Sequence, residues 1–184
     1  LDDDLRSELL EEMDPERAAV FLALMTPDER ADALEEMDEE VADEILEAIP
    51  EKERAETERL LQYEPESAGG LMTTEFVSVL ESQTVEEALD AVRTIARAGR
   101  REAMNTLYTV DARGAIRGVL SLRELLAAPE GSRIVDLAWS EIVTVVPTAD
   151  REEVAQIISN YDLIAVPVVD GDGRVLGVVT VDDI

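Results

Sequence analysis

The sequence predicts an α+β protein, in which an acidic, all-helical repeat domain is followed by a β-α-β-β-α unit that occurs twice. Three observations lead to this fold class. Apolar residues recur every 12 positions in the first third of the chain, and the apolar period then changes from helical to strand-like. The later order of strands and helices repeats after about 60 residues. With 46% hydrophobic residues among 184, the chain has enough apolar side chains to form a core.

The helical repeat covers residues 1–66. Its units end in turn signals such as Asp14-Pro15 and Thr26-Pro27, and proline is favoured at the first position of a helix. The prolines disfavour one long helix. Helices of about two turns cannot bury an apolar stripe alone, so we expect them to stack as a right-angled superhelix. The repeated positions are Leu10, Leu22, Leu34 and Leu46, with Met13, Met25, Met37 and Ile49 beside them.

The charge of the chain is uneven across a predicted linker at residues 67–75. The chain carries 44 acidic and 16 basic side chains and no histidine, a formal net charge of −28. Residues 1–66 hold 25 acidic and 6 basic side chains, whereas residues 67–184 hold 19 and 10. The linker contains Gly69-Gly70, the only pair of adjacent glycines in the sequence, and such pairs are typical of loops.

The β-α-β-β-α unit is predicted at residues 76–137 and again at residues 138–184. A Ser/Thr-x-x-acid capping box opens the last helix of each copy. Because the second capping box ends the sequence, we expect that its helix is cut off and that the native chain continues after Ile184. The first copy has predicted strands at 76–80, 107–110 and 116–120 and helices at 85–98 and from 121; the second has strands at 142–146, 164–169 and 175–179 and helices at 151–160 and from 180.

Composition excludes several classes of function. The chain has no cysteine and no histidine, which removes thiol and imidazole nucleophiles and the usual zinc, copper and iron ligands. Its negative charge is unsuited to nucleic acid, because phosphate neutralisation needs clustered Lys and Arg. No apolar run approaches the roughly 18 residues of a membrane span, so we expect a soluble fragment. We expect neither an enzyme nor a nucleic-acid-binding protein.

Two stretches of the chain resemble known families. Residues 161–170 (YDLIAVPVVD) and 177–183 (GVVTVDD) are similar to the CBS domain, the module named for cystathionine β-synthase. The acidic repeat and the segment 63–73 (YEPESAGGLMT) resemble the cytosolic part of the MgtE family of magnesium channels or transporters. The resemblance implies a tandem CBS pair, an N domain truncated at its N-terminus, and a homodimer formed through the CBS domains. It also implies a transmembrane pore after residue 184 and a location on the cytoplasmic side of the plasma membrane.

The resemblance further implies that Mg²⁺ bridges the acidic N domain and the CBS domains, closes the pore and limits Mg²⁺ uptake. The charges agree with this mechanism. Two like charges ~4 Å apart at an effective dielectric constant of roughly 20 repel by about 4 kcal/mol, and a divalent cation between acidic surfaces would remove that repulsion. The available ligands are carboxylate and carbonyl oxygens, which suit Mg²⁺, with Ca²⁺ or Mn²⁺ as alternatives.

Asp28 and Asp32 are metal-ligand candidates that the helical pattern itself indicates. They lie four residues apart at the start of a predicted helix, so their carboxylates share one face. Like charges at this spacing destabilise a helix unless a cation neutralises them. The family resemblance carries over five further ligands, which are the side chains of Glu152, Asp162 and Asp183 and the backbone carbonyls of Gly70 and Ser159.

Alternative roles remain open for three of these carboxylates. Glu152 suits the N-terminus of a helix, where a negative charge is favourable. Asp162 suits a turn after that helix, and Asp183 suits a helix cap. Since Glu152 and Ser159 would lie about 10 Å apart along one helix, they cannot share an ion, and the set implies at least two ion positions.

Adenine-nucleotide sensing is a second interpretation, because CBS pairs resemble nucleotide sensors such as those for ATP. In that family the Ser/Thr-x-x-Asp turn holds the ribose. Glu124 stands where Asp is usual and Leu163 where an aromatic residue could stack, and both departures weaken the match. A dimerising interaction scaffold is a third interpretation. The nucleotide-binding candidates are Tyr108, Ser121, Arg123, Glu124, Leu163, Thr180 and Asp183.

Overall fold

The computed structural model describes residues 3–97 and 106–184 and confirms a helical domain followed by mixed helix and sheet. Each unit of the acidic repeat forms one short helix. Asp14 and Asp38 cap the second and fourth helices through their side chains, and Pro15 and Pro27 occupy first-turn positions as predicted. The helices are α1 Asp3–Glu11, α2 Pro15–Leu22, α3 Pro27–Glu35, α4 Glu39–Ala48 and α5 Glu51–Leu60.

Each helix in the middle of the repeat packs mainly on the helix two positions away in the chain. Helix α2 packs mainly on α4, and α3 packs on α5. The periodic apolar residues fill the space between them, as expected for an amphipathic repeat. This core includes Leu10, Leu22, Leu34, Met37, Ile45 and Ile49.

The predicted linker is ordered and fixed to the second α/β unit. A single helical turn, α6 Ala68–Leu71, forms within it, with the Ser67 side chain as its cap. The amide of Gly69 donates to the carbonyl of Pro147 at 2.9 Å, and the amide of Ala68 donates to that of Ala149 at 2.8 Å. A Cβ at position 70 would lie 2.5 Å from the Glu64 carbonyl oxygen, so only glycine fits there. The glycine pair therefore serves close packing in this chain.

The first α/β unit contains a three-stranded sheet with the order β1-β2-β3. Strands β1 and β2 are parallel, with Val77 opposite Leu107, while β2 and β3 are antiparallel. The predicted end of the first helix at Ala98 lies outside the described residues. The elements are β1 Val77–Leu80, α7 Val85–Arg97, β2 Thr106–Val110, β3 Ile116–Ser121, α8 Leu122–Ala127 and α9 Ile134–Leu137.

The second α/β unit differs from the prediction at its first strand. Residues 142–146 form no strand and make only one parallel bridge, between Val145 and Val168. Prolines explain the difference, because proline has no amide hydrogen to donate. To lengthen this single bridge into a ladder, the backbone amide of Pro167 would have to donate a hydrogen bond on one side and that of Pro147 on the other, and neither has a hydrogen to donate. The observed elements are α10 Arg151–Tyr161, β4 Ala165–Val169 and β5 Val175–Thr180, with β4 and β5 antiparallel.

In each α/β unit, the last strand of the sheet makes one antiparallel bridge to a residue of a preceding or following loop. Thr73 of the linker pairs with Val178 on β5, and Trp139 pairs with Val119 on β3. The capping box at Thr180 forms as predicted, but only the 3₁₀ turn Val181–Asp183 follows it. No helix in the described residues is long and apolar enough to cross a membrane.

Candidate metal and nucleotide cleft

A cleft of about 910 Å³ lies between the helical domain and the second α/β unit. Its helical wall comes from α1 and α3, and the opposite wall comes from the linker, β2, β4, β5 and the final 3₁₀ turn. Acidic groups line both walls. Its acidic lining residues are Asp28, Glu29, Asp32, Glu35, Glu36, Glu66, Glu75, Asp182 and Asp183.

Asp28 occupies the first turn of α3 at the base of this cleft. Only 8% of its surface is exposed, and its Oδ1 atom has no hydrogen-bond partner among the described residues. Burial raises the pKa of Asp28, an effect that the Thr73 side chain opposes and the charge of Asp183 reinforces. An ionised carboxylate with an unsatisfied buried oxygen is unfavourable unless a cation compensates it.

Asp32 lies one helical turn after Asp28, and its side chain faces the same cleft from a more open position. Partial burial, followed by the charges of Asp28 and Glu35, raises the pKa of Asp32 to about 6. The charge of Asp183 acts in the same direction. The prediction that these two aspartates share one helix face and repel each other is therefore in agreement with the structure.

Asp183 approaches the two aspartates from the opposite wall. Its Oδ2 atom accepts hydrogen bonds from the Thr180 amide at 3.0 Å and the Thr180 hydroxyl at 2.7 Å. The predicted cap role of Asp183 is therefore observed and uses only Oδ2, while its role as a metal ligand stays a prediction. Carboxylates that are about 155 residues apart in sequence meet at the seam between the domains.

The other four predicted ligands do not line this cleft. Gly70 is buried in α6, and Glu152 and Ser159 are exposed at opposite ends of α10. Asp162 ends α10 in the left-handed conformation with φ 52°, which matches its predicted turn role. No group of three or more acidic, His or Cys side chains within the described ranges is arranged to hold a metal ion as it stands. These four assignments stay predictions.

Tyr108 and Phe76 form an aromatic part of the same cleft. Their ring centroids are 6.3 Å apart in an edge-to-face arrangement. Tyr108 is 2% exposed, its hydroxyl has no hydrogen-bond partner among the described residues, and burial raises its pKa. Of the nucleotide candidates, Tyr108, Thr180 and Asp183 therefore share one site.

The remaining nucleotide candidates lie elsewhere. Ser121 and Glu124 form a capping box at α8, and the Trp139 indole donates to Glu124 Oε1 at 2.9 Å. This bond, together with those from Ser121, lowers the pKa of Glu124. Arg123 is exposed beside them, and Leu163 packs against the core around α10. The first repeat thus contributes Tyr108 to the cleft and not its capping box.

Sequence reasoning missed Thr73 and Phe76 as cleft residues. Thr73 is in the predicted linker, and its backbone pairs with Val178 through two hydrogen bonds of 2.9 Å. The only local signal was its position three residues after the glycine pair. Phe76 was assigned to the start of a strand, which gave no indication that its ring contacts Tyr108.

Comparisons with known proteins identify the family. The family model for the MgtE intracellular N domain matches residues 1–66, and that for the CBS domain matches residues 68–131 and 134–184. This chain belongs to the MgtE family. A magnesium transporter MgtE from Thermus thermophilus is 44% identical over 129 residues, which are 70% of this chain and 28% of that protein. The chain therefore spans about a quarter of the length of this MgtE relative.

Solved MgtE structures have the same architecture. The soluble part of a magnesium transporter is 34% identical, with a TM-score of 0.88, and is matched over 100% of this chain and 76% of that one. The cytosolic domain of the Mg²⁺ channel MgtE in complex with ATP is 36% identical, with a TM-score of 0.85 over 100% of this chain and 79% of that one. The fold predicted from the resemblance is thereby confirmed.

Proposed function

We propose that this chain is the cytosolic Mg²⁺-sensing region of a magnesium transporter or channel, in which Mg²⁺ bound in the cleft holds the N domain against the CBS pair. The observation that carries the proposal is the buried Oδ1 of Asp28, which lacks a hydrogen-bond partner in the part of the chain that the structure describes and lies in a cleft with Asp32 and Asp183. An oxygen in this position needs a cation or a proton to be stable.

The donor set fits a hard divalent ion. Asp28, Asp32 and Asp183 offer carboxylate oxygens, and Thr73 and Thr180 offer hydroxyl groups. Mg²⁺ typically takes one or two protein carboxylates and keeps several waters, so it does not need a complete protein cage. Ca²⁺ and Mn²⁺ bind the same oxygen donors and are the alternatives to test.

Domain closure follows from the electrostatics of the two walls. Without a cation, Asp183 on one wall repels Asp28 and Asp32 on the other; burial is the main cause of the raised pKa of both groups, and the charge of Asp183 adds to it. A bound divalent ion converts this repulsion into attraction and favours the closed arrangement. In the full protein, we propose that closure of a homodimer joined through its CBS domains shuts a transmembrane pore and limits Mg²⁺ uptake.

The test is an Mg²⁺ titration of the 184-residue chain followed by small-angle scattering and calorimetry. We expect the chain to become more compact with Mg²⁺ than with chelator, and Asp28→Asn to reduce the Mg²⁺ affinity by about tenfold or more. Asp43→Asn is the matched control, since Asp43 is an exposed carboxylate on α4 outside the cleft. Identical dimensions with Mg²⁺ and with chelator would count against the proposal.

ATP binding in the same cleft is a second candidate function. It is supported by the Tyr108 hydroxyl, which has no hydrogen-bond partner within residues 3–97 and 106–184 and lines the cleft with Phe76 and Thr180, and by the similarity to an MgtE domain solved with ATP. We expect Tyr108→Phe to weaken ATP binding measured by calorimetry. Tyr161→Phe should have no effect, because Tyr161 is exposed and lies outside the cleft. An equal affinity in all three proteins would contradict this assignment.

A further inference from the structure

Arg30 is a buried charged residue in the helical domain that the metal site does not use directly. It is 2% exposed, and its guanidinium donates four hydrogen bonds. The acceptors are Leu22 O at 2.9 Å, Met25 O at 3.0 Å, Glu53 O at 2.9 Å and Thr57 Oγ1 at 3.0 Å. The side chain thus connects the end of α2, its own helix α3 and helix α5.

These bonds fix the turn that leads into α3. Leu22 ends α2 and Met25 lies in the following turn. The Leu22 carbonyl accepts from the Met25 amide at 3.0 Å, and Arg30 adds a second donor to that carbonyl and a donor to the Met25 carbonyl. Asp28 is in the first turn of α3, immediately after this clamped segment. The position of its carboxylate in the cleft therefore depends on the clamp. On the other side, Glu53 and Thr57 tie the same guanidinium to α5, which leads into the linker.

The helical stack does not require an arginine at this position. The 12-residue repeat places alanine at the equivalent position of the neighbouring units, Ala18 and Ala42, and arginine two units away, Arg6 and Arg54; Ala18 is completely buried. Burial of a charged group carries a desolvation penalty of several kcal/mol before hydrogen bonds compensate it. Alanine is therefore the simpler solution for packing, and Arg30 indicates a requirement beyond it.

The effect of Arg30 on the cleft is geometric more than electrostatic. Its charge interacts most with Glu56 and Glu53, ahead of Glu75 and Asp28. The leading influences on the pKa of Asp28 are its burial, the Thr73 side chain and a backbone hydrogen bond, followed by the charge of Asp183. The fork geometry of the guanidinium, which lysine lacks, explains the four simultaneous hydrogen bonds.

We propose that Arg30 is a positioning residue for Mg²⁺, which holds the first turn of α3 so that Asp28 and Asp32 face Asp183 across the cleft. This inference rests on the proposed function, since it assumes that these aspartates bind Mg²⁺. It assigns a role in ion affinity to a residue that does not touch the ion, in the way that outer-shell partners orient metal ligands.

The test measures Mg²⁺ affinity by calorimetry on the folded 184-residue chain, with folding checked by circular dichroism. Arg30→Ala and Arg30→Lys should each weaken Mg²⁺ binding by about tenfold. The variant Arg54→Ala is the matched control. Arg54 has the same position in the repeat two units later, but its side chain is 35% exposed and its bond to Glu47 O is 3.5 Å long.

A double-mutant cycle separates positioning from a merely structural role. If Arg30 acts through Asp28 and Asp32, then Arg30→Ala weakens Mg²⁺ binding less in the Asp28→Asn background than in the wild type, because one of the two positioned ligands is already lost. Additive losses overturn the inference, as does an unchanged affinity in Arg30→Ala. A third result also overturns it: Arg30→Lys binds Mg²⁺ like the wild type and Arg30→Ala binds it more tightly. Lysine keeps the positive charge but not the hydrogen bonds, so this result would mean that Arg30 acts on Mg²⁺ affinity through its charge.

Two further outcomes are distinguishable. If Asp28→Asn alone leaves Mg²⁺ affinity unchanged, the proposed function fails before the role of Arg30 is reached. If Arg30→Ala does not fold, Thr57→Val removes one acceptor at similar side-chain volume. Weaker Mg²⁺ binding by that variant supports the clamp, and unchanged binding overturns it.

Discussion

Single carboxylates in the cleft occupy positions that are unfavourable for the stability of the metal-free chain. Burial, and less strongly the charge of Asp183, raise the pKa of Asp28 and of Asp32, and the charge of Asp28 raises that of Asp32 further. A chain optimised for stability alone would not keep this arrangement. Functional sites commonly keep such locally unfavourable groups because a ligand needs them.

The pKa of Asp32 leads to a pH prediction for the metal-free chain. Because its folded pKa is about 6 and its ordinary value is 3.8, the folded state binds more protons between these values. The contribution of Asp32 to the free energy of unfolding therefore falls as pH rises from about 4 to 6. Asp32→Asn should raise the free energy of unfolding at pH 7 by about 1 kcal/mol, after allowance for solvent screening of this open position.

Urea unfolding in EDTA across pH 4 to 7.5 checks this prediction on the wild type and Asp32→Asn. The difference between the two proteins should shrink toward pH 4, where Asp32 of the folded state is protonated and its neighbours no longer repel it. Equal stabilities at pH 7 would show that Asp32 is not destabilised by its neighbours. With saturating Mg²⁺ the wild type should become more stable than Asp32→Asn, since the variant loses a proposed Mg²⁺ ligand.

At the level of elements, the segment between the domains depends on close packing. The linker turn α6 is hydrogen-bonded to the region before α10, and its glycines leave no room for side chains. Ala31 of α3 and Leu60 of α5 join the core that Val154, Val166 and Val179 form in the second α/β unit. The helical domain and this unit therefore share apolar contacts as well as the acidic cleft.

Gly70→Ala tests this packing. The added methyl group would lie 2.5 Å from the Glu64 carbonyl oxygen and 2.7 Å from that of Pro65, and both are backbone atoms that cannot rotate away. We expect the free energy of unfolding to fall by about 2 kcal/mol, as is usual for overpacking. Gly171→Ala is the matched control, because no atom lies within 4 Å of its Cβ position. Urea unfolding of both variants measures the difference, and equal effects would show that the linker adjusts.

For the whole molecule, the net charge of −28 means that any cation, bound or in solution, reduces the repulsion within the chain. Monovalent salt screens the repulsion between the domains, whereas a divalent ion in the cleft also links them. A ligand that binds only the folded form and is present at a concentration of about 100 times its dissociation constant raises the free energy of unfolding by about 2.7 kcal/mol. Mg²⁺ should therefore stabilise the chain beyond its contribution to ionic strength.

Thermal unfolding in MgCl₂ and in NaCl at equal ionic strength tests this expectation. The melting temperature should be higher in MgCl₂, and the excess should be smaller in Asp28→Asn but unchanged in Asp43→Asn. Equal melting temperatures in both salts would mean that screening alone accounts for the effect of Mg²⁺.

The sequence by itself determined the elements whose signals are local. The 12-residue period, the prolines at helix starts and the capping boxes at Ser121 and Thr180 each involve residues within one or two turns. The structure contains the predicted helices of the repeat and both capping boxes, although only a 3₁₀ turn follows Thr180. The acidic composition likewise indicated a hard-cation site without any coordinates. The family resemblance added Asp183 to the candidate ligands.

Only the tertiary structure decided which of the predicted residues meet. Asp28 and Asp183 converge, while Glu152 and Ser159 do not join them, because the pairing of Thr73 with Val178 sets how the helical domain lies on the second unit. The strand at residues 142–146 failed for a similar reason, since its pairing depended on Pro167 in a distant segment. Contacts between distant segments depend on register and packing, which no local period encodes.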